Sequence, residues 1–225
     1  MFQRILTAVV ATVLFGCTAG GDSATAQELE TDEQRTLYAL GVVLASNIDV
    51  FALTREEVEF VAMGLREAVA GDPSRVDIAV FGPRIQQLAD ARSSAASMAE
   101  KEASAAFAAE IAQEPGAQVF DSGLVFVPMV EGSGESPTAS DTVRVHYHGT
   151  LRDGTVFDSS VDRGESITFP LDGVIPCWTE GVQKMRVGGK AKLACPSEIA
   201  YGESGTGPIP GGATLLFEVE LLGIE

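Results

Sequence analysis

Apolar residues recur at helical spacing through the first half of the chain and alternate with polar ones through much of the second. Behind Thr31-Asp-Glu-Gln34, a capping box, Leu37, Leu40 and Leu44 fall on one face and predict a helix over residues 32–46. Thr54-Arg-Glu-Glu57 repeats the box, with Leu53 and Val58 spaced for a hydrophobic staple. Val58, Val61, Leu65 and Val69 then make a second stripe, which Gly71-Asp72-Pro73 ends. From about Pro83 the chain is free of Gly and Pro until Pro115-Gly116 and rich in Ala, Glu and Gln, so a helix of roughly thirty residues, about 45 Å long, is expected. Its second half, residues 93–109, holds mostly Ala, Ser and charge. So few large side chains cannot enclose a core, and an exposed spacer is the expectation.

Past Pro115 the period changes to two. Residues 119–127, 142–151, 166–169, 190–195 and 214–222 predict strands between Gly-, Asp- and Pro-rich turns. Within the second of these, Val143, Val145 and Tyr147 share one face, while Arg144, His146 and His148 share the other. Residues 178–185 are the one good short helix. The fold class is therefore α+β: a twisted antiparallel β-sheet wrapped over a short helix, preceded by an all-α region with a long connecting helix. The boundaries read as 1–16 signal, 17–28 flexible tether, 29–114 helical region and 115–225 sheet domain.

The first residues are a separate matter. Arg4 followed by the apolar run 5–15 has the n- and h-regions of a secretory signal and is too short to span a bilayer. Leu14-Phe15-Gly16-Cys17 resembles the lipobox of bacterial lipoproteins, which implies cleavage before Cys17, a lipid on its sulfur and a membrane anchor. Thr18 at the next position, by the same resemblance, points to the outer membrane of the cell envelope. An ordinary secretory signal with a chance cysteine, giving a soluble periplasmic protein, is the alternative. With Cys17 so used, Cys177 and Cys195 remain as an even pair in an oxidising compartment, open to a disulfide or left as two buried thiols. Neither C-x-x-C spacing nor extra ligands accompany them, so no metal is expected. The net charge of −17 excludes nucleic acid as a partner, since phosphate binding needs clustered Lys and Arg.

Four blocks follow in order: HYHGTLRDGTVFDSS from His146, VIPCWTEGVQKM from Val174, AYG from Ala200 and GGATLLFEVELL from Gly211. Together they resemble the FKBP-type peptidyl-prolyl cis-trans isomerases. Upstream, TLYALGVVLASNI and FALTREEVEFVAMGL resemble the N-terminal domain of the macrophage infectivity potentiator group of that family, which implies a homodimer; a self-contained helical hairpin is the alternative. The resemblance implies an isomerase that uses no cofactor and accelerates Xaa-Pro rotation while exported proteins fold. Its partners would be proline-containing unfolded chains and the family's macrolide inhibitors. It places Trp178 under the proline ring, with Tyr147, Phe157, Val174, Ile175 and Phe217 as walls. Tyr201 and the Ile175 amide become donors to substrate carbonyls, Asp158 orients tyrosine hydroxyls, and Ile209 closes the rim on the loop 202–212.

Two departures stand out. Ile167 replaces a wall aromatic, and Gly211-Gly212 should make the rim loop looser, broadening or weakening substrate binding. Family members more often carry glycine where this chain has Cys177. Each assignment also has a plainer reading: Phe169 and Phe217 as core packing, Asp158 as a cap on the turn 158–160, and His146 and His148 as a solvated pair rather than a metal site. At the level of function, the competing reading is an envelope chaperone or proline-binding module with little catalysis.

Overall fold

The computed structural model describes residues 28–225; the signal-like segment, Cys17 and the tether up to Gln27 lie outside them. Two compact units are distinguished, divided after Ser46. Among the described residues the first is represented by α1 (Asp32–Asn47), opened by the expected box: Thr31 Oγ1 accepts from the Gln34 amide at 3.1 Å, and Gln34 Oε1 accepts from the Thr31 amide at 3.0 Å. None of its residues is buried, and Leu37 and Leu40 are more than half exposed.

In the second unit α2 (Arg55–Ala70) also starts on a full capping box, Thr54 with Glu57, and stops at Gly71 in the left-handed conformation. It too buries none of its residues. Arg92 ties its first turn to the third helix: Nη1 donates to the Phe51 carbonyl at 2.5 Å and to Glu57 Oε2 at 3.1 Å. The hydrogen bond from Arg92 is the main reason the Glu57 carboxyl titrates at about 2. That helix, α3 (Ile78–Ile111), begins before Pro83 rather than at it, because Asp77 Oδ1 accepts from the Ala79 amide and caps an earlier start.

The strands among the described residues are β1 (Gln118–Val119), β2 (Val125–Val130), β3 (Thr142–Thr150), β4 (Val156–Ser159), β5 (Ile167–Pro170), β6 (Lys190–Cys195) and β7 (Leu215–Ile224). They form one antiparallel sheet in the order β1-β2-β6-β7-β3-β4, with β5 also paired to β3. Two expectations need correction. The stretch 119–127 is not one strand: it turns at Gly123, whose φ of +88° favours glycine, and folds β1 back on β2. The second is the plainer reading of 158–160 as a capped turn: Asp158 and Ser159 end β4, Ser160 opens α4 (Ser160–Arg163), and Ser159, not Asp158, caps that helix by accepting from the Asp162 amide at 3.0 Å.

The short helix α5 (Pro176–Val182) starts two residues before the expected Trp178, because a proline's fixed φ and missing N–H suit the first helical position. It packs against the sheet where Gly181 lets Leu193 of β6 approach; a Cβ there would lie 2.8 Å from Leu193 Cδ2. Val143, Val145, Leu193, Leu215, Val219 and Leu221 are fully buried between sheet and helix, each worth about 2 kcal/mol of apolar transfer. A disulfide joins Cys177 of α5 to Cys195 at the end of β6, with a Cα–Cα distance of 5.7 Å.

The second half of α3 is not an exposed spacer. Ser97 is 7% exposed and Ser104 1%, both against the sheet domain, and Ser104 Oγ accepts from the Thr214 amide at 2.9 Å. The composition that argued against a self-contained core is what close docking requires. Small side chains let the helix backbone approach a neighbouring chain.

Candidate functional site

The alternation of β3 puts Tyr147 on the inner face, where it meets Trp178 edge-on at 5.3 Å between ring centroids. Phe217 of β7 meets Trp178 at 5.1 Å and 90°, and Phe169 of β5 lies at 5.2 Å, so three strands and α5 deliver rings to one place. Phe157 comes from β4 and packs edge-on against Phe217 at 5.4 Å. Gly149 makes room for it: a Cβ at that position of β3 would lie 2.6 Å from Phe157 Cζ. T-shaped contacts of this kind set the positive edge of one ring against the negative face of another and fix their orientation.

These rings enclose a cavity of about 680 Å³ that Ile167, Val174, Ile175, Tyr201 and Ile209 also line, together with Asp158. Every pocket residue expected from the sequence therefore faces one space. Trp178, 5% exposed, forms its base, and Ile209, 7% exposed, closes one side. Phe169 and Phe217 do both things weighed for them, packing on Trp178 and lining the cavity. Tyr201 is 40% exposed, and among the described residues its hydroxyl makes no hydrogen bond. It is the open donor at the mouth.

Asp158 is the polar corner. It accepts from the Tyr147 hydroxyl and pairs with Arg163, whose Nη2 also donates to the Tyr147 oxygen at 3.1 Å. Burial opposes ionisation of Asp158, but the bonds from Tyr147 and Arg163 together outweigh it and hold the carboxyl below its ordinary value of 3.8. Burial, and then the bond to that carboxylate, push the Tyr147 phenol above 10.0. Asp158 thus contributes at pH values above its depressed pKa and loses its contribution as pH falls through it. Tyr147 stays neutral until pH rises through its raised value. We expect kcat/KM to be flat from about pH 5 to about pH 9. A bend between about pH 6 and 7 would implicate a histidine instead.

Neither histidine is the solvated residue expected. His146 and His148 are partly buried because α4 and its cap cover that face; their Nδ1 atoms lie 3.1 Å from Ser160 Oγ and 2.9 Å from Ser159 Oγ. No cluster of three or more metal-ligating side chains occurs among the described residues. Sequence reasoning missed Arg163, which lies outside the four blocks, and the rim residues Thr206, Gly207 and Pro208. It also misjudged the rim. Gly211 and Gly212 are not slack: a Cβ on Gly212 would lie 2.3 Å from the Ser97 carbonyl, and one on Gly211 1.9 Å from the Glu203 carbonyl. They are glycines because backbones touch there.

The family model described as FKBP-type peptidyl-prolyl cis-trans isomerase matches residues 133–222, and the one described as the domain amino terminal to it matches residues 33–127. The isomerase FkpA of Aeromonas hydrophila is 38% identical over 210 residues, covering 88% of this chain and 78% of the relative. The 22 kDa FKBP-type isomerase of Escherichia coli K12 is 38% identical over 205 residues, covering 89% of this chain and 99% of the relative. Among solved structures, FkpA from Escherichia coli superposes with a TM-score of 0.69 at 35% identity, covering 88% of this chain and 99% of that one.

Proposed function

The chain belongs to the FKBP-type peptidyl-prolyl cis-trans isomerases, enzymes that accelerate rotation about Xaa-Pro bonds, and on that premise we propose that it acts on exported proteins as they fold in the bacterial envelope. The observation that carries the site assignment is the convergence of Tyr147, Phe157, Phe217 and Trp178 on one cavity, with few polar side chains, Asp158 and Tyr201 among them, at its edge.

Rotation about a prolyl bond faces a barrier of roughly 18–20 kcal/mol because amide resonance holds the bond planar. Water favours that charge-separated planar form. A dry cavity that takes the proline ring over Trp178 removes this support. Tyr201 and the Ile175 amide then meet the carbonyls flanking the twisted bond, more tightly in the twisted state than in the planar one. The Asp158–Arg163 pair holds the Tyr147 wall without entering the reaction. No bond is made or broken, so no nucleophile and no cofactor enters the scheme. Protease-coupled or NMR exchange measurements on Xaa-Pro peptides test this, with macrolides competing and altering Trp178 fluorescence. Finding no rate above background on any residue before proline would overturn the site assignment.

Two further elements belong to the reading. The run ending Leu-Phe-Gly-Cys supports lipidation, so mass spectrometry of the envelope form should find acylated Cys17 as the first residue. A start elsewhere, for instance after Ala26, would leave a soluble periplasmic protein. The exposed apolar residues of α1 and α2, Leu37, Leu40, Phe60, Leu65 and Val69, support a homodimer formed through this region. Sedimentation of the mature protein should give twice the chain mass, and deletion of residues 29–70 should give a monomer still active on short peptides. A monomeric mass for the intact mature protein would rule the dimer out.

A further inference from the structure

The part of α3 that should have been a bare spacer reaches three of the segments that lead to the cavity: the β3–β4 turn, the stretch before Tyr201 and the rim loop with the residues just after it. Ser104 Oγ, accepting from the Thr214 amide, also donates to Glu100 Oε1 at 3.0 Å. Glu100 in turn accepts from Arg152 Nε and Nη2 at 2.9 and 3.1 Å. Arg152 lies in the turn between β3 and β4, five residues before Phe157, and Thr214 closes the rim loop that carries Ile209. Lys101 Nζ pairs with Glu198 Oε1 at 2.5 Å, three residues before Tyr201. Ser97 lies against Gly211 and Gly212, where no side chain fits. One continuous hydrogen-bonded line thus runs from the rim loop through the helix to the β3–β4 turn.

We propose that Ser97, Glu100, Lys101 and Ser104 are positioning residues of the isomerase site: docked α3 fixes Tyr201, Ile209 and the wall bearing Phe157 and Asp158 in the geometry that grips a proline segment. The physical reason is the nature of the rim. The loop 202–212 holds glycines at φ between +64° and +81° at positions 202, 205 and 212, and Ile209 is its one buried large apolar side chain. Beyond Ile209 and the loop's own backbone bonds, Thr206 with Ile209 and Gly212 to Gly202, its bracing comes from Ser97 and Lys101 of α3, which lie against Gly211 and Gly212. The helix therefore acts through Tyr201 and Ile209 and touches no reacting atom. The inference rests on the cavity assignment above.

The test uses the full mature chain and a short Xaa-Pro peptide. Lys101→Glu and Glu198→Lys each place like charges where the pair now is, and the double variant restores opposite charges in swapped positions. Ser104→Leu wedges the helix off the sheet. Each single change should raise KM roughly three- to tenfold with kcat nearly kept, and the charge-swapped double should return KM to within about twofold of the native value. Trp178 emission should stay unchanged throughout, since the base of the cavity does not touch α3. Unchanged KM in Lys101→Glu and Glu198→Lys, or no recovery in the double, would overturn the proposal even if Ser104→Leu failed to fold. Phe157→Ala separates the two levels: if it costs activity while the charge variants do not, the helix is only a stalk. If it costs nothing, the cavity assignment has failed first.

Discussion

Phe157→Ala is expected to lower kcat/KM for short Xaa-Pro peptides by roughly ten- to a hundredfold while the sheet domain stays folded. The ring is half-buried, fills the space left by Gly149 and holds Phe217 edge-on, so its loss opens one wall of the cavity and admits water to the amide. Re-wetting restores solvent support for the planar bond, which is the ground state the enzyme has to disfavour. The global cost is smaller than for a core phenylalanine because Phe157 packs at the edge of the buried cluster rather than within it. Tyr201→Phe is the milder companion: it removes one donor and no surface, so about a tenfold loss is the scale of a single hydrogen bond. Equal activity in native and Phe157→Ala protein, measured by protease-coupled assay with melting curves alongside, would sink the wall assignment.

The second large effect concerns stability. Replacing both Cys177 and Cys195 by alanine should destabilise the sheet domain by about 3 kcal/mol, the chain-entropy value for a loop of this length. The two cysteines are 18 residues apart and fully buried. The melting temperature should fall by roughly 10 °C or more, and thermal denaturation of native against doubly substituted protein reads it directly. Because Cys177 precedes Trp178 in α5, the same change should loosen the base of the cavity and shift tryptophan emission. Alkylation of exported protein under denaturing, non-reducing conditions should leave both residues unlabelled. Labelling of two thiols would show that the bridge is not formed where the protein works.

The site was far more legible in the sequence than the frame around it, and the reason is chemical. Tyr147, Phe157, Trp178, Tyr201 and Phe217 are large side chains carried in ordered blocks, and all five line the cavity. The capping boxes at Thr31 and Thr54 were legible because both partners lie within one turn. What failed was mostly information carried between distant segments. Ser97 and Ser104 look like filler until Gly212 and Thr214, more than a hundred residues later, arrive beside them. Gly211-Gly212 suggested slack for the same reason, since close backbone approach and conformational freedom call for the same residue. β4 was hidden because Val156 to Ser159 is short and its pairing to β3 is irregular.

The docking of α3 also bears on modularity. By composition the chain falls apart neatly at Pro115, and a designer wishing to graft the proline pocket onto another carrier would cut there. Such a graft would leave the Thr214 amide without the Ser104 hydroxyl, Arg152 and Lys192 without the carboxylates of Glu100 and Glu114, and a glycine-floored furrow open to water. The portable module starts inside the helix, before Ser97. Moved to another carrier, this head would have to take the last turns of its own arm with it.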